Sequence, residues 1–222
     1  MSDEQLNDLA EYIQENLEPK VISYDVQTYK AGISEIVLNV DKNYINDVLR
    51  FLRDDVECKF EMLVDITALD NPSDATARFG VVYNLLSMSQ NNRVRIKVSV
   101  DEGESVNSVI ETYATAGWFE REVWDMFGIP FSGNPDMRRI LTDYGFEGHP
   151  LRKDFPLTGY VELRYDEELK RVVYEPVKLQ QDFRVFDNLS PWEGMTDVQL
   201  PGDEKATKPS VGFEARQITQ KD

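Results

Sequence analysis

The sequence predicts an α+β fold, in which a mixed or antiparallel sheet has helices packed on one face and a long extended C-terminal arm follows. Helical and alternating apolar patterns succeed one another as far as Phe127, a turn-rich stretch without a period comes next, and the residues after Pro176 show no sustained pattern. We therefore predict an α+β domain over 1–128, a turn-rich segment with a hairpin over 129–175, and an extended arm over 176–222.

The first quarter of the chain predicts a helix, a hairpin and a second helix. Apolar residues at helical spacing predict the first helix: Leu6, Leu9, Ala10, Ile13 and Leu17. Apolar and polar residues alternate over 22–27 and again over 36–40, and the interruption at Ala31 and Gly32 predicts a hairpin. Helical spacing returns over 44–52, with Asp41 as the expected N-cap.

Three strands are predicted next. The first is expected to place five apolar residues on one face: Phe60, Met62, Val64, Ile66 and Ala68. The second is FGVVYNLLSM, and the third is RVRIKVSV, whose strict alternation leaves one face of the sheet in water. Two helices should follow, because Ser105 is placed to cap a run with Val106 and Tyr113, and WFEREVWDMF is bounded by Gly128.

Composition limits the classes of function. The chain carries 24 cationic and 41 anionic side chains and a net charge of -17, which disfavours nucleic acid and anionic lipid as main partners. Its single cysteine, Cys58, cannot form an internal disulfide, so nothing requires an oxidising compartment. The acidic first residues lack the features of a secretory or transit leader, and no apolar run is long enough to cross a bilayer.

Few residues point to chemistry within the chain. His149, the only histidine, lies between Gly148 and Pro150, which favours a structural hydrogen-bonding role over a catalytic one. A nucleophilic pair of Cys58 and His149 would make a hydrolase, but nothing nearby in sequence supports it. One Cys and one His cannot supply a standard zinc or iron–sulfur site, and no glycine-rich phosphate loop is present. Asp65 and Asp70 are expected to be solvated or capping residues.

The stretch from Asp136 to Asp154 mixes four cations and four anions with large apolar residues. Paired charges and aromatic residues are typical of a protein interface. The alternative is a loop that internal ion pairs pack against its own domain. On the residues alone, both interpretations remain open.

Three motifs between Glu120 and Asp166 carry a resemblance: ERE-x-WDMFG, PD-x-RRILTDYGF and GHPLRKDFPLTGY. Their order and spacing resemble the 30 kDa subunit of respiratory complex I, and YEPV and SPWEG extend the likeness towards the C-terminus. One departure is visible, because many members of that family have His where this chain has Asn134.

The resemblance implies a non-catalytic structural subunit in the hydrophilic arm of a proton-pumping NADH:quinone oxidoreductase. Such a subunit binds no cofactor itself; FMN and the iron–sulfur clusters are in partner subunits. The implied partners are the 49 kDa quinone-site subunit and neighbouring iron–sulfur subunits in a hetero-oligomer. The implied location is peripheral, on the cytoplasmic side of a bacterial inner membrane, or on the matrix side if the gene is organellar.

The resemblance also leads us to expect a subunit interface, with no catalytic, cofactor or metal residue in this chain. The expected interface residues are Trp124, Phe127, Arg138, Arg139, Phe146, His149, Arg152, Lys153, Asp154 and Phe155. Alternatives are the homologous subunit of a membrane-bound hydrogenase or formate hydrogenlyase, an independent Cys–His hydrolase, and a binding module outside any enzyme.

Overall fold

The computed structural model describes residues 3–29, 34–74 and 77–181. The helices are α1 (Asp3–Leu17), α2 (Ile45–Asp54) and α3 (Ala116–Phe127). The strands are β1 (Val21–Thr28), β2 (Ser34–Val40), β3 (Met62–Asp70), β4 (Phe79–Ser87), β5 (Asn92–Val100), β6 (Val106–Asn107), β7 (Phe131–Ser132), β8 (Val161–Asp166) and β9 (Arg171–Pro176). The predicted arm falls mostly on residues 182–222, which lie outside the described residues.

The main sheet is mixed, as predicted. Its five strands lie in the order β1-β2-β5-β4-β3. Neighbouring strands are antiparallel except for β2 and β5, which are parallel and pair Leu38 with Ile96. The parallel pair lies between two antiparallel units, β1–β2 and β3–β4–β5, so the α+β class is confirmed.

One face of the sheet forms the core together with the three helices. The alternating residues of β5 that were expected to be buried are 0–1% exposed: Val94, Ile96, Val98 and Val100. The predicted apolar stripe of α1 is also buried and joins the same hydrophobic cluster. Asp41 accepts a hydrogen bond from the Asn43 N–H as an N-cap, although a short 3-10 turn, Lys42–Tyr44, precedes α2.

The prediction that β3 has one continuous apolar face is wrong. Leu63 pairs with Leu85 and Asp65 pairs with Asn84, so Val64 is an extra residue in a β-bulge. A bulge shifts the alternation by one residue, which turns Val64 outward and Leu63 into the core.

The helix predicted after Ser105 is also wrong. Its first residues instead form strand β6, because the Val106 and Ser108 N–H groups donate to the carbonyls of Pro130 and Ser132. The segment then turns towards α3 through hydrogen bonds to the carbonyls of Val109 and Tyr113. Pairing with the distant β7 has replaced the local helical hydrogen bonds.

The last predicted helix and the hairpin are confirmed. Helix α3 ends at Gly128, whose φ of 77° is the left-handed conformation typical of a helix C-cap. Strands β8 and β9 pair antiparallel, with Leu163 opposite Tyr174. Residues up to Val177 form one compact unit, and Lys178–Gln181, the described start of the other unit, has no helix or strand.

Candidate functional site

The residues from 129 to 160, here called the signature loop, complete the C-terminal end of α3. The last carbonyls of a helix have no partner within it. The Asp125 carbonyl lies 3.0 Å from His149 Nδ1, the Met126 carbonyl accepts from the Leu151 N–H at 3.0 Å, and the Phe127 carbonyl accepts from Arg152 Nε at 2.6 Å. The GHPLR sequence therefore caps the helix that precedes it.

The side chain of Asp125 fixes the loop a second time. This fully buried carboxylate accepts three backbone hydrogen bonds, from Ile140, Leu141 and Thr142, at 2.8–3.0 Å. The Thr142 hydroxyl and Arg139 Nη1 donate to its other oxygen at 2.7 and 2.8 Å. Five donors converge on a single carboxylate.

These donors control the charge of Asp125. Burial by itself raises the pKa of a carboxyl group, because it disfavours the charged form. Here the hydrogen bonds from Thr142, Arg139 and the backbone outweigh burial and hold the pKa of Asp125 well below its usual range. Asp125 is therefore an ionised residue that stabilises the folded loop.

Arg139 joins two parts of the loop to α3. Beyond its ion pair with Asp125, its Nη2 donates to the Gly148 carbonyl at 3.0 Å. Its guanidinium lies 5.3 Å from the Trp124 ring centre and 5.6 Å from that of Phe146, within cation–π range. The planar guanidinium of Arg139 is therefore hydrogen-bonded at its edges and contacts aromatic rings at its faces.

Arg121 of α3 also binds the backbone of the signature loop. Its Nε and Nη2 donate to the carbonyls of Arg138 and Arg139 at 3.0 and 3.2 Å. The side chain of Arg138 instead points outward and pairs with Asp136 at 2.7 Å. These neighbouring arginines therefore have different surroundings.

A cluster of charges fastens the far end of the loop to the sheet. Arg78, next to the first residue of β4, pairs with Asp70, Glu102 and Asp154 at 2.9–3.0 Å. Asp70 also accepts the Lys153 N–H at 2.7 Å. Hydrogen bonding from Arg78 lowers the pKa of Asp70, and burial opposes that shift. Asp70 is buried and paired, so the expectation of a solvated or capping residue was wrong.

Arg152 belongs to the same cluster. Its Nη1 donates to Glu102 at 2.8 Å, so this carboxylate bridges Arg78 and Arg152. Both guanidinium groups lie over the Phe79 ring, at 4.9 and 5.2 Å from its centre.

Two glycines allow the loop to approach so closely. A Cβ on Gly128 would lie 2.6 Å from Arg152 Nη2 and from the His149 ring. A Cβ on Gly148 would lie 2.7 Å from the Phe155 ring, and this glycine has a φ of +98°. A side chain at either position would be strained by its backbone and would clash.

Glu120 is a second buried carboxylate of α3. It accepts hydrogen bonds from Ser108 Oγ, the Val109 N–H and Asn134 Nδ2 at 2.7–2.9 Å. Burial raises the pKa of Glu120, and these hydrogen bonds oppose the increase only in part. Asn134 is thus hydrogen-bonded to Glu120 and also accepts from the Asp136 N–H.

The expected interface residues differ in their exposure. Six are at least half-buried or bonded into the domain: Trp124, Phe127, Arg139, Phe146, His149 and Arg152. Phe155 is partly buried beside Phe146 and Tyr160, at ring-centre distances of 5.9 and 5.5 Å, in the wall of a shallow cleft of about 390 Å³. Arg138, Lys153 and Asp154 are exposed, although the Asp154 carboxylate pairs with Arg78 and the Lys153 N–H donates to Asp70. Leu141, Tyr144 and Leu157, which were not among the ten expected interface residues, are exposed as well.

The surroundings of His149 and Cys58 favour structural roles. Nδ1 of His149 faces a carbonyl, so it carries the proton, and burial lowers the pKa of the ring with help from Arg152 and Arg139. Burial raises the pKa of the Cys58 thiol to about 12, with a further contribution from Asp55. A cysteine nucleophile needs a lowered pKa, so the raised pKa of the Cys58 thiol disfavours a nucleophilic role for it.

The described residues contain neither a metal cluster nor a membrane-spanning helix. Over 3–29, 34–74 and 77–181, no group of three or more His, Cys, Asp or Glu side chains is arranged to hold a metal ion. In that same part of the chain, none of the helices has the length and hydropathy needed to span a bilayer.

Comparison with known proteins finds similarity over the residues that build this site. The family model described as "Respiratory-chain NADH dehydrogenase, 30 Kd subunit" matches residues 38–161, more than half of the chain and all of the signature loop. The chain belongs to this family. The confirmed resemblance therefore covers the α+β domain from within β2 onwards and the loop described above.

Full-length relatives give the same result. The chain is 59% identical to the NADH-quinone oxidoreductase subunit designated C of Paramagnetospirillum magneticum, over 90% of this chain and 98% of the relative. It is 58% identical to the protein of the same name from Agrobacterium fabrum, over 91% and 98%. A chain from the structure of an archaeal membrane-bound sulfane sulfur reductase is 26% identical, with a TM-score of 0.57 over 68% of this chain and 85% of that one.

Several residues that build the site were not predicted as part of it. They are Asp70, Arg78, Glu102, Glu120, Arg121 and Asp125. Glu120 had a visible signal, because it lies at helical spacing with Ala116, Val123 and Phe127 on the apolar face of α3. The partners of Asp125 are 14–17 residues away in a stretch without a period, so sequence pattern gave no signal for them.

Proposed function

We propose that the chain is a non-catalytic structural subunit in the hydrophilic arm of a proton-pumping NADH:quinone oxidoreductase. In this role it holds the electron-transfer and quinone-reducing subunits at fixed positions, and electrons pass through those neighbours. Its partners are the 49 kDa quinone-site subunit and adjacent iron–sulfur subunits. The chain is peripheral, on the cytoplasmic side of a bacterial inner membrane.

The observation that carries this proposal is the way the signature loop is held. The Asp125 carboxylate of α3 accepts hydrogen bonds from the loop backbone, and the Arg152 guanidinium of the loop donates to the Phe127 carbonyl at the end of α3. These bonds give one conformation to residues 129–160, in which the two-residue strand β7 is the single regular element. Its exposed side chains, including Tyr144 and Leu157, then present a fixed surface, and large exposed apolar groups mark interaction sites.

The available side chains support a role without a cofactor in this chain. FMN and iron–sulfur clusters would be held by the partner subunits, because Cys58 is the one thiol of the sequence and is fully buried. Its raised pKa disfavours the thiolate that ligates iron.

A second candidate is the equivalent subunit of a different membrane-bound respiratory complex. The 26% identity and shared fold with the sulfane sulfur reductase chain support a common architecture among such complexes. Identities of 56–59% over 98% of relatives named as NADH-quinone oxidoreductase subunits favour the NADH-linked enzyme over this alternative and over a hydrogenase-type complex.

The test compares Arg138→Ala and Arg152→Ala in the membrane-bound enzyme. Both should lower the flavin-containing complex recovered from gently solubilised membranes, and NADH:quinone turnover per flavin should stay unchanged. Arg93→Ala, which removes an exposed arginine of β5, is the matched control and should change neither quantity. Normal recovery with reduced turnover per flavin would contradict a purely structural role, and absence of the chain from any such complex would contradict the assignment.

A further inference from the structure

The β8–β9 hairpin has two chemically distinct faces. Residues directly opposite each other in an antiparallel pair lie on the same face. The observed register therefore places one set of apolar residues together: Val161, Leu163, Tyr165, Val172, Tyr174 and Pro176. The other face is mostly charged, and there Arg164 pairs with Glu175 at 3.0 Å and with Asp166 at 3.5 Å.

The apolar face is uncovered. Its five large side chains, from Val161 to Tyr174, are each 53–65% exposed. A two-stranded hairpin is marginally stable in water unless a third strand or another surface packs on it. The exposed face and the lack of a third strand in the described sheet indicate that packing is completed by something outside this compact unit.

We propose that this apolar face docks against a different protein whose matching surface is apolar at its centre and basic at its rim. This inference rests on the proposed function, in which that protein is a neighbouring subunit of the oxidoreductase. The partner covers Leu163, Tyr165 and Tyr174 and leaves the Arg164–Glu175 face in water.

Charge decides between a different protein and a second copy of this chain. The hairpin turn carries three consecutive acidic residues, Asp166, Glu167 and Glu168. Asp166 fixes the turn by accepting the N–H groups of Glu168 and Leu169 at 2.9 Å, and both glutamates are exposed. Two copies, each with a net charge of -17, would repel one another, whereas a basic rim complements the acidic turn.

The size of the face indicates what else the partner contacts. Six-residue strands span about 20 Å, and two strands about 10 Å, so the hairpin supplies well under the roughly 800 Å² per partner of a stable interface. The signature loop adjoins the hairpin directly, because Tyr160 precedes β8 and packs edge-on against Phe155. One partner therefore covers the hairpin face and the adjoining loop surface together.

The test is the accessibility of cysteines to a water-soluble maleimide. Leu163→Cys places a thiol on the apolar face, and Arg164→Cys, one residue away on the charged face, is the matched control. Both replaced residues are exposed to solvent. Val172→Cys provides a second position on the apolar face, and the buried Cys58 should not react in the folded chain.

All three introduced cysteines should react at similar rates in the isolated full-length chain. In the purified flavin-containing complex, reaction at Leu163→Cys and Val172→Cys should slow by about tenfold or more, as expected for a dry interface, and Arg164→Cys should change by less than about twofold. The double variant Glu167→Lys with Glu168→Lys should also lower recovery of the complex, whereas Arg171→Ala should not.

Other results would overturn the proposal. Unslowed reaction on the apolar face within an intact complex would refute docking while leaving the proposed function in place. Slow maleimide reaction on the apolar face of the isolated chain would show that something other than a different protein covers this face. The covering group would be a second copy if the chain is dimeric, and its own C-terminal residues if the chain is monomeric. Normal recovery of the flavin-containing complex with the double variant Glu167→Lys and Glu168→Lys would refute a basic rim on the partner. Absence of the chain from any flavin-containing complex would remove the proposed function as well.

Discussion

The signature loop and the β8–β9 hairpin adjoin in sequence but use their charged and apolar residues in opposite ways. In the loop, charged groups such as Arg139 and Arg152 bond to backbone and carboxylates of the domain. In the hairpin, Arg164 pairs within the hairpin and the large apolar groups remain exposed. The loop is therefore stabilised by its own domain, and the hairpin still has apolar surface to bury.

This contrast shows that an interface motif can act indirectly. A guanidinium that bonds a loop to its own domain gives the loop its shape, and the neighbouring exposed residues make the contact with a partner. We therefore expect substitutions of internally bonded loop residues such as Asp125 and Arg139 to lower the stability of the isolated chain. Substitutions of exposed residues in the loop and the hairpin should change assembly instead.

The strongest effect on stability should come from Asp125→Asn. The amide cannot accept all five donors, and it leaves the partly buried Arg139 without its counter-ion. Breaking a buried ion pair from one side typically costs about 3–5 kcal/mol. Urea unfolding of the isolated full-length chain should show a loss of this size, and a loss below about 1 kcal/mol would mean that the carboxylate does not hold the loop.

A smaller loss of stability is expected for Gly128→Ala, with Gly145→Ala as its control. Both glycines have left-handed φ values, +77° and +79°, so both substitutions carry the same backbone penalty of roughly 1–2 kcal/mol. A Cβ at 145 meets nothing within 4 Å, whereas one at 128 meets Arg152 and His149 at 2.6 Å. Thermal unfolding should show the larger loss at Gly128, and equal losses would mean that the close packing of the loop adds nothing.

The weakest effect should be a difference in acid sensitivity. The pKa of Asp125 is lowered in the folded chain, so its contribution to stability is complete above the unfolded pKa of about 4 and is lost as pH falls towards the folded value. Between about pH 6 and pH 3, wild-type protein should therefore lose more unfolding free energy than Asp125→Asn. Urea unfolding across this range measures the difference, and parallel curves for the two proteins would contradict it.

The parts of the fold that sequence predicted are those with local causes. Alternation in β5 and helical spacing in α1 arise within one element, and both were correct. The bulge at Val64 and the strand at Val106 depend on pairing with β4 and with β7, which are distant in sequence, and both were missed. Local pattern contains no information about such partners.

The candidate site shows the same limit. The motifs located the loop correctly, and the mixture of charges left open whether those charges face a partner or the domain. For Arg139 and Arg152 the contacts are internal, because the Asp125 carboxylate and the Phe127 carbonyl lie on α3 directly beneath the loop. For Arg138 the side chain faces solvent. Only the folded structure shows that Arg139 contacts the domain whereas its neighbour Arg138 faces solvent.

The difference between loop and hairpin is best tested by urea unfolding of the isolated full-length chain with Arg139→Ala and, separately, Tyr174→Thr. Arg139→Ala removes charged hydrogen bonds to Asp125 and Gly148, but Asp125 keeps its other four donors, so the substitution should cost on the order of 2 kcal/mol, less than Asp125→Asn. Tyr174→Thr keeps strand propensity and removes one exposed cross-strand contact with Leu163, so it should cost less than about 1 kcal/mol. We expect the losses in that order, and a larger loss for Tyr174→Thr than for Arg139→Ala would contradict an internally held loop beside an uncovered hairpin.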